Sequence, residues 1–430
     1  MKRTYDWGEK MPYREQIPID KGLDNSLSLM MEGYRYISNR REKFGRDIFE
    51  TRLLGGQKAI CIAGKDAAEV FYDEEKFIRQ GAAPKRVRQT IFGEKAIQTM
   101  DGASHEHRKA VFMSLMSRES LEEVVHITRD EYDQFISRWE GMDRVVLFEE
   151  SKELLTRVAC RWAGVPLQEE EVKIRTNQLA ALFDSAAAVG PRHWRGRQAR
   201  NSSESWIKGM IEQIRAGNME TQEGTALHEL AWYRDSNGKL LNSQVTAVEV
   251  INILRPIVAI AVYIAFCALA IHDFPEQAGK LTSKDDSYDE MFVQEVRRYY
   301  PFFPFAAARV KKDFLWKGHD FKKGNLVLLD IYGTNHHRDI WERPWEFNPK
   351  RFADRKDDPF DFIPQGGGDY HKGHRCPGEW LTIEVMKVSV DTFVRKMYYD
   401  MPKQDLNYSM MRMPSLPKSR VILTNIKRKL

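Results

Sequence analysis

The sequence predicts a mainly α fold with small β-sheets, and three observations lead to this class. Apolar side chains recur at helical spacing through much of the first half, notably over 119–139 and 149–163. The segment 243–272 is apolar on most faces, which is typical of a long helix in a protein interior. Strand alternation around glycine turns is confined to short runs near 48–63 and 305–330, so we expect the sheets to be small.

Composition bounds the class of protein. The 430 residues are 42% hydrophobic and contain no long Pro/Gly linker, so we expect a single large domain over 1–430. The formal net charge is only +5, from 67 basic and 62 acidic residues, and this balance predicts no nucleic-acid partner. Four cysteines without a paired pattern are typical of a reducing compartment.

Two segments bear on membranes and export. The N-terminal residues lack the apolar core of a signal peptide, so the expected location is cytoplasmic. The longest apolar run, 257–271, is shorter than a bilayer requires and directly follows Arg255 and Pro256. We therefore interpret it as part of a buried helix and expect no stable membrane insertion.

The first half also supplies elements around a pocket. We expect a helix over 26–44, followed by a hairpin that turns at Gly55 and Gly56. The segment 77–102 mixes apolar residues with helix breakers, which favours loops over a pocket. The basic segment 190–200 is interpreted as a loop between helices.

The long apolar helix carries an unusual pair near its middle, Arg255 and Pro256. A proline there removes a backbone donor and frees the carbonyl of Asn252, which opens or kinks the helix. A buried arginine is costly unless an anion meets it. Two interpretations stay open: a salt bridge with an internal carboxylate, or a receptor for the acid group of a ligand.

A glycine-rich loop leads to one cysteine, Cys376, at a predicted helix start. Glycines at 366, 367, 368 and 373 let the backbone approach a flat ligand, and the helix start is expected to favour the thiolate. A thiolate is a suitable axial ligand for haem iron. The alternatives are an inert buried thiol and a zinc knuckle that adds His371 and His374.

The order of these elements resembles the cytochrome P-450 family over essentially the whole chain. Glu295 and Arg298 resemble its E-x-x-R motif, and their spacing places them on one helical face. Arg351, in P-K-R-F, is similar to the arginine that completes the family's structural triad, and Cys376 to its thiolate ligand. The resemblance implies a cytochrome P-450 fold with a long central helix and a cysteine-ligated haem b, which is iron protoporphyrin IX.

Two departures resemble the fatty-acid peroxygenase branch of that family. Asp369 and Lys372 stand where most members have phenylalanine and glycine, and Arg255-Pro256 replaces the acid–alcohol pair that delivers protons to dioxygen. The branch implies an enzyme that uses hydrogen peroxide, without a redox partner, to hydroxylate long-chain fatty acids at the α and β carbons. The substrate carboxylate, paired with Arg255, would act as the general acid–base.

Further site residues follow from the same resemblance. Gln98 is similar to the position where the strongest alkene-forming decarboxylases carry histidine, so we expect hydroxylation, with decarboxylation as a side reaction. The resemblance implies roles at the catalytic helix for Pro256, in the pocket lining for Phe92 and Phe302, and in haem binding for Arg79, His105, Lys109 and His374. Two rival functions stay open: a monooxygenase fed by a reductase, and a non-enzymatic haem sensor in which Arg255 pairs internally.

Overall fold

Residues 16–186, 188–283 and 286–429 are described by the structure, a computed structural model, and within them helices dominate and sheets are small, as predicted. The helices, in chain order, are α1 Ser26–Glu32, α2 Tyr36–Phe44, α3 Lys65–Phe71, α4 Lys85–Val87, α5 Gly102–Ser114, α6 Arg118–Trp139, α7 Leu147–Ala163, α8 Val172–Asp184, α9 Pro191–Arg215, α10 Ala226–Ala231, α11 Ser243–Ala259, α12 Ala261–Asp273, α13 Pro275–Lys280, α14 Asp286–Tyr299, α15 Ile331–Thr334 and α16 Glu379–Asp391. The strands are β1 Ile48–Leu53, β2 Gln57–Ile62, β3 Phe77–Ile78, β4 Val145–Val146, β5 Phe305–Val310, β6 Phe314–Trp316, β7 His319–Phe321, β8 Leu326–Asp330, β9 Met397–Asp400 and β10 Ile422–Arg428.

The largest sheet has the strand order β1-β2-β8-β5-β3. β1 and β2 form the predicted antiparallel hairpin, and β2 then pairs in parallel with β8, where Ala59 lies opposite Leu326. β8 and β5 are antiparallel, with Phe305 opposite Asp330. A three-stranded sheet, β4-β10-β9, and the two-stranded β6-β7 complete the β structure of the described ranges. These strands place the turn at Phe302 beside the helical core.

The helices α11 and α12 run through that core. They form the predicted interior element over Ser243–Asp273, and 94% of its most apolar window is buried inside the protein. In the described part of the chain this is the one helix long and apolar enough to cross a membrane, and protein encloses it. Helices α7, α8 and α9 pack on α11, while α7, α14 and α16 pack on α12. The Arg255 position is therefore surrounded by helices.

Pro256 does not end the long helix, but a break follows it. The α11 helix continues to Ala259, and the N–H of Ile260 donates to the carbonyl of Ile257 at 3.1 Å before α12 begins. Since proline has no N–H, the carbonyl of Asn252 lacks its usual helical donor, as expected. The predicted single helix is thus two helices that share Ile260 as a junction.

The interpretation of 190–200 as a loop is wrong. Helix α9 begins at Pro191, which suits a first helical position, and continues for 25 residues. The buried residues in the first half of this helix are small or polar, namely His193, Gly196, Ala199, Arg200 and Ser203, and the buried isoleucines Ile207, Ile211 and Ile214 follow only in its second half. Apolar periodicity therefore gave no signal over 190–200.

The predicted helix over 26–44 is interrupted at Gly33. This glycine has a φ of 55°, and an added Cβ would collide with the carbonyl of Met410. The N–H of Tyr34 donates to that same carbonyl at 2.9 Å. The break therefore lets the N-terminal helices lie close against the C-terminal segment.

Candidate functional site

Cys376 lies immediately before α16, and the glycine-rich loop folds tightly against it. The N–H of Cys376 donates to the carbonyl of Gln365 at 3.1 Å, and the Gln365 Nε2 lies 3.7 Å from the Cys376 Sγ. A Cβ at Gly367 would be 2.5 Å from the carbonyl of Pro359, and one at Gly368 would be 3.0 Å from Tyr72. The loop therefore requires glycine where its backbone meets the rest of the protein.

Burial outweighs the helix start at this thiol. The pKa of Cys376 is raised by burial and by the nearby carboxylate of Glu379, although Lys109 and the N–H of Gly378 act in the opposite direction. The helix start thus acts on the pKa of Cys376 in the predicted direction, through the N–H of Gly378, but burial of the thiol is the larger effect in the protein alone. Coordination to a metal cation deprotonates such a thiol and offsets this burial cost.

A buried ion network that the sequence analysis missed supports the cysteine loop. Arg297 donates to Glu379 at 2.5 Å and to the Gln365 Oε1 at 2.9 Å, and Arg375 donates to the other oxygen of Glu379 at 2.7 Å. This arrangement fixes the Gln365 amide with its Nε2 toward Cys376. The available sequence signal was Arg297, the first arginine in E-V-R-R, whose side chain is buried in the structure.

The predicted triad of Glu295, Arg298 and Arg351 is present in the structure. Arg298 donates to Glu295 at 2.7 and 2.8 Å, and Arg351 donates to the same carboxylate at 3.2 Å. Arg298 also donates to the carbonyls of Asn335 and Pro344 at 3.1 and 2.8 Å. The three side chains thus tie α14 to the two segments that precede the cysteine loop.

Four basic residues predicted to bind haem lie around the cysteine loop. The ring of His105 stacks on that of His374 at 4.0 Å, and the Lys109 Nζ donates to the carbonyls of Gly373, at 2.9 Å, and Arg375. Arg79 lies over the ring of Phe71 at 4.3 Å and donates to the carbonyl of Ala307. Among the described residues neither Arg79 nor Lys109 forms an ion pair, whereas His374 lies 3.7 Å from Asp101. The set is basic, and two of its cations have no paired anion.

The electrostatics of this set fit an anionic group. Burial lowers the pKa of Lys109 to about 8, that of His374 to about 4 and that of His105 to about 3. Burial also lowers the pKa of Arg79. The His105 Nδ1 is buried without a hydrogen-bond partner in the described ranges. An acidic ligand edge would offset these costs, so the residues present fit haem, with Cys376 as the iron ligand and the basic set at its propionates.

A zinc knuckle is not formed on this loop. Among the described residues, the sets of ligand atoms close enough to share a metal combine His374 with Glu74 and His105, or His337 with Asp47 and Asp339. Neither set includes Cys376 or His371. The geometry at the thiol therefore supports a single sulfur ligand.

Arg255 lies inside the protein without an anion. Its side chain is 7% exposed, it forms no ion pair with the described residues, and its Nε is buried without a hydrogen-bond partner. Burial and the charge of Arg200 lower the pKa of Arg255 to about 9, while the sulfur of Cys376 acts in the opposite direction. The internal salt bridge considered from the sequence is therefore not found, and the guanidinium is available to an acidic ligand.

Two predicted pocket residues are connected to α11 by one amide. The Asn252 Nδ2 donates to the carbonyl of Phe92 at 2.8 Å and to the Gln98 Oε1 at 3.3 Å. Arg200 also donates to the carbonyl of Phe92, at 3.0 Å. Phe92 and Gln98 thus lie beside the Arg255 helix, one turn before that arginine.

Phe302 contacts α12, the second half of the long interior helix. Its ring stacks on Tyr263 of α12 at 4.2 Å, and its carbonyl accepts a hydrogen bond from the Tyr34 hydroxyl at 2.8 Å. Five polar side chains that position the pocket were not predicted from the sequence, namely those of Arg108, Arg200, Glu249, Asn252 and Gln365. The recurrence of Glu249, Asn252 and Arg255 at intervals of three residues was the signal for part of this set.

Comparison with known proteins gives matches along the whole chain. The family model described as Cytochrome P450 matches residues 285–424. A solved structure, "Cytochrome P450EX alpha (CYP152N1) wild-type with myristic acid", is 48% identical, with a TM-score of 0.94 over 96% of this chain and 100% of that one. "Structure of cytochrome P450 OleT, ligand-free" is 38% identical, with a TM-score of 0.94 over 96% of this chain and 99% of that one.

A curated relative is more distant. "Cytochrome P450 26A1" from Gallus gallus is 25% identical over 384 residues, which are 80% of this chain and 77% of the relative. The structural matches extend over nearly all of both chains and confirm the predicted fold class.

Proposed function

Because the chain belongs to the cytochrome P450 family, we infer that it is a haem-thiolate peroxygenase that uses hydrogen peroxide to hydroxylate long-chain fatty acids at the α and β carbons. Decarboxylation to terminal alkenes is the side reaction. The observation that carries this function is Arg255, a buried guanidinium that has no anionic partner among the described residues. A relative of 48% identity was solved with myristic acid, whose carboxylate supplies such an anion.

The chemistry divides between the haem and the chain. Haem bound through Cys376 supplies peroxide O–O cleavage and insertion of one peroxide oxygen into a C–H bond, and the other oxygen leaves as water. Arg255 binds the substrate carboxylate through charge-assisted hydrogen bonds and so holds the α and β carbons nearest the reacting centre. The carboxylate of the bound substrate then holds and returns the proton of the peroxide as general acid–base.

The neighbouring residues set the position of the substrate. Leu254, Pro256 and Ile257 flank Arg255 and offer no side-chain proton donor, so the substrate itself must supply this group. We propose that Pro256 shapes the helix at this point and that Gln98 lies close to the substrate head. We also propose that Phe92 and Phe302 line the alkyl channel.

The remaining attributes follow from the same proposal. The enzyme needs fatty acid and hydrogen peroxide and no redox partner. We propose one catalytic domain over residues 1–430, a cytoplasmic location, no nucleic-acid partner and no stable membrane insertion. The burial of α11 and α12 supports the last point.

Product analysis tests the function directly. Purified haem-loaded protein, hydrogen peroxide and a long-chain fatty acid are mixed without reductase, and we expect 2- and 3-hydroxy acids. Addition of catalase is the control and should abolish the products. Turnover that requires NAD(P)H and a reductase would instead identify a conventional monooxygenase. A haem spectrum that fatty acid leaves unchanged, without turnover, would identify a sensor.

The substitution Gln98→His is expected to raise the ratio of alkene to hydroxy acid several-fold. Imidazole exchanges protons near neutral pH, whereas the amide that accepts from Asn252 does not. Product ratios from peroxide-driven reactions measure the effect, and Gln98→Asn, which keeps an amide, is the matched control. An unchanged ratio in Gln98→His would contradict this role of position 98.

A further inference from the structure

One buried carboxylate near the site has no part in the proposed chemistry. Glu249 is fully buried in α11, six residues before Arg255 and three before Asn252. Burial raises the pKa of Glu249, while the charge and hydrogen bond of Arg108 act in the opposite direction. A buried charge of this kind is retained only where it is paired and hydrogen-bonded.

The carboxylate connects α11 to the segment 92–99. Its Oε1 accepts from the backbone N–H of Ile97 at 2.9 Å and from the Arg108 Nη1 at 2.8 Å. Its Oε2 accepts from the Asn252 Nδ2 at 3.2 Å. Because Ile97 precedes Gln98 directly, the Ile97 bond fixes the backbone beside that side chain.

The partners of Glu249 extend the connection along the segment 92–99. Arg108 also donates to the carbonyl of Lys95 at 2.9 Å, and Asn252 donates to the carbonyl of Phe92 at 2.8 Å. Glu249 therefore bonds one backbone group of the segment directly, the N–H of Ile97. It reaches two more, the carbonyls of Lys95 and Phe92, through Arg108 and Asn252.

The same carboxylate sets the balance of charge around the pocket. Three buried arginines lie in this region, and Glu249 pairs with Arg108 while Glu204 pairs with Arg200. Arg255 alone among the three has no acidic partner in the described ranges. An incoming carboxylate therefore meets one uncompensated guanidinium.

We propose that Glu249 is a positioning residue that holds Phe92 and Gln98 at a fixed place relative to Arg255 and keeps Arg108 from competing for the substrate carboxylate. This inference rests on the proposed function. If Glu249 has this role, the carboxylate of the fatty acid binds in a single position. Glu249 thereby controls which carbon is oxidised without contacting the substrate.

The substitution Glu249→Gln tests the proposal. The new amide places its NH₂ either toward Arg108 or toward the Nδ2 of Asn252, so a donor faces a donor in both orientations. We expect faster amide hydrogen exchange in the peptide that spans 92–99, a several-fold higher KM for fatty acid, and a changed ratio of 2-hydroxy acid, 3-hydroxy acid and alkene. Haem loading should stay at the wild-type level.

The matched control is Glu131→Gln. Glu131 is also buried, at 7% exposure, but it lies in α6, and its Oε2 has no hydrogen-bond partner among the described residues. This variant should leave exchange in 92–99 and the product ratio unchanged. If Glu249→Gln matches this control in both readouts, the proposal is overturned.

A second variant covers the case in which Glu249→Gln does not fold. Asn252→Ala keeps the pairing of Glu249 with Arg108 and Ile97 but removes the bonds to Phe92 and Gln98. We expect faster exchange at 92–93 and an altered product ratio, and wild-type values would overturn the proposal. Because exchange is measured without substrate, it reports on Glu249 even if peroxide-driven hydroxylation, and with it the proposed function, fails.

Discussion

Arg255→Ala is expected to lose nearly all hydroxylation of long-chain fatty acids while it retains haem. The loss of one partner from a buried charge pair costs about 3–5 kcal/mol, which corresponds to a fall in kcat/KM of roughly a hundredfold to several thousandfold. Peroxide-driven product formation measures the fall, and the haem spectrum checks cofactor loading. A variant that hydroxylates these acids at the wild-type rate would contradict the mechanism.

The thermal stability of the ligand-free protein, unlike the activity, should not fall when Arg255 is replaced by alanine. Arg255 is buried and has no anionic partner within the described ranges, so its removal takes an uncompensated charge out of the interior. Arg255→Ala should therefore unfold at a temperature no lower than the wild type when fatty acid is absent, and only the wild type should gain stability from added fatty acid. Arg255→Lys is the matched control, because it keeps the charge but loses the planar fork, and it should retain part of the activity.

Glu295→Ala is expected to destabilise the fold by about 3–5 kcal/mol. The change leaves Arg298 and Arg351 without the carboxylate that both contact, and Arg298 is fully buried. Denaturant unfolding of the haem-loaded protein measures the loss.

A surface pair provides the control for this loss. Glu122 accepts from Arg118 four residues earlier on α6, and both side chains are mostly exposed. Glu122→Ala should therefore change stability little, since exposed pairs are screened by water and salt. Equal losses in Glu122→Ala and Glu295→Ala would show that the triad carries no special stability.

The sequence was sufficient for features that depend on local spacing. Glu295 and Arg298 are three residues apart on one helix, so their pairing follows from helical geometry. The glycines before Cys376 predict a backbone that approaches a flat ligand, and this stays a prediction; in the structure Gly367 and Gly368 lie close to Pro359 and Tyr72. Resemblance to a family added Arg351, because its contact with Glu295 joins distant parts of the chain.

Features that depend on tertiary environment could not be predicted in the same way. The pKa of Cys376 is raised because the fold buries it, and this effect exceeds the influence of the local helix start. The two interpretations of Arg255 could be separated only by the absence of a carboxylate around it among the described residues. Glu249 bonds Ile97 across 152 positions, a distance at which periodicity carries no information.

The parallel pairing of β2 with β8 has a consequence for biosynthesis. Ala59 of β2 lies opposite Leu326 of β8. The β1–β2 hairpin is synthesised early, and more than half of the chain must follow before β8 can pair with the free edge of β2. Cys376, the proposed ligand of the haem iron, emerges later still. Capture of haem through this thiol would therefore come late in chain synthesis, because a nascent polypeptide truncated before Cys376 lacks the proposed iron ligand.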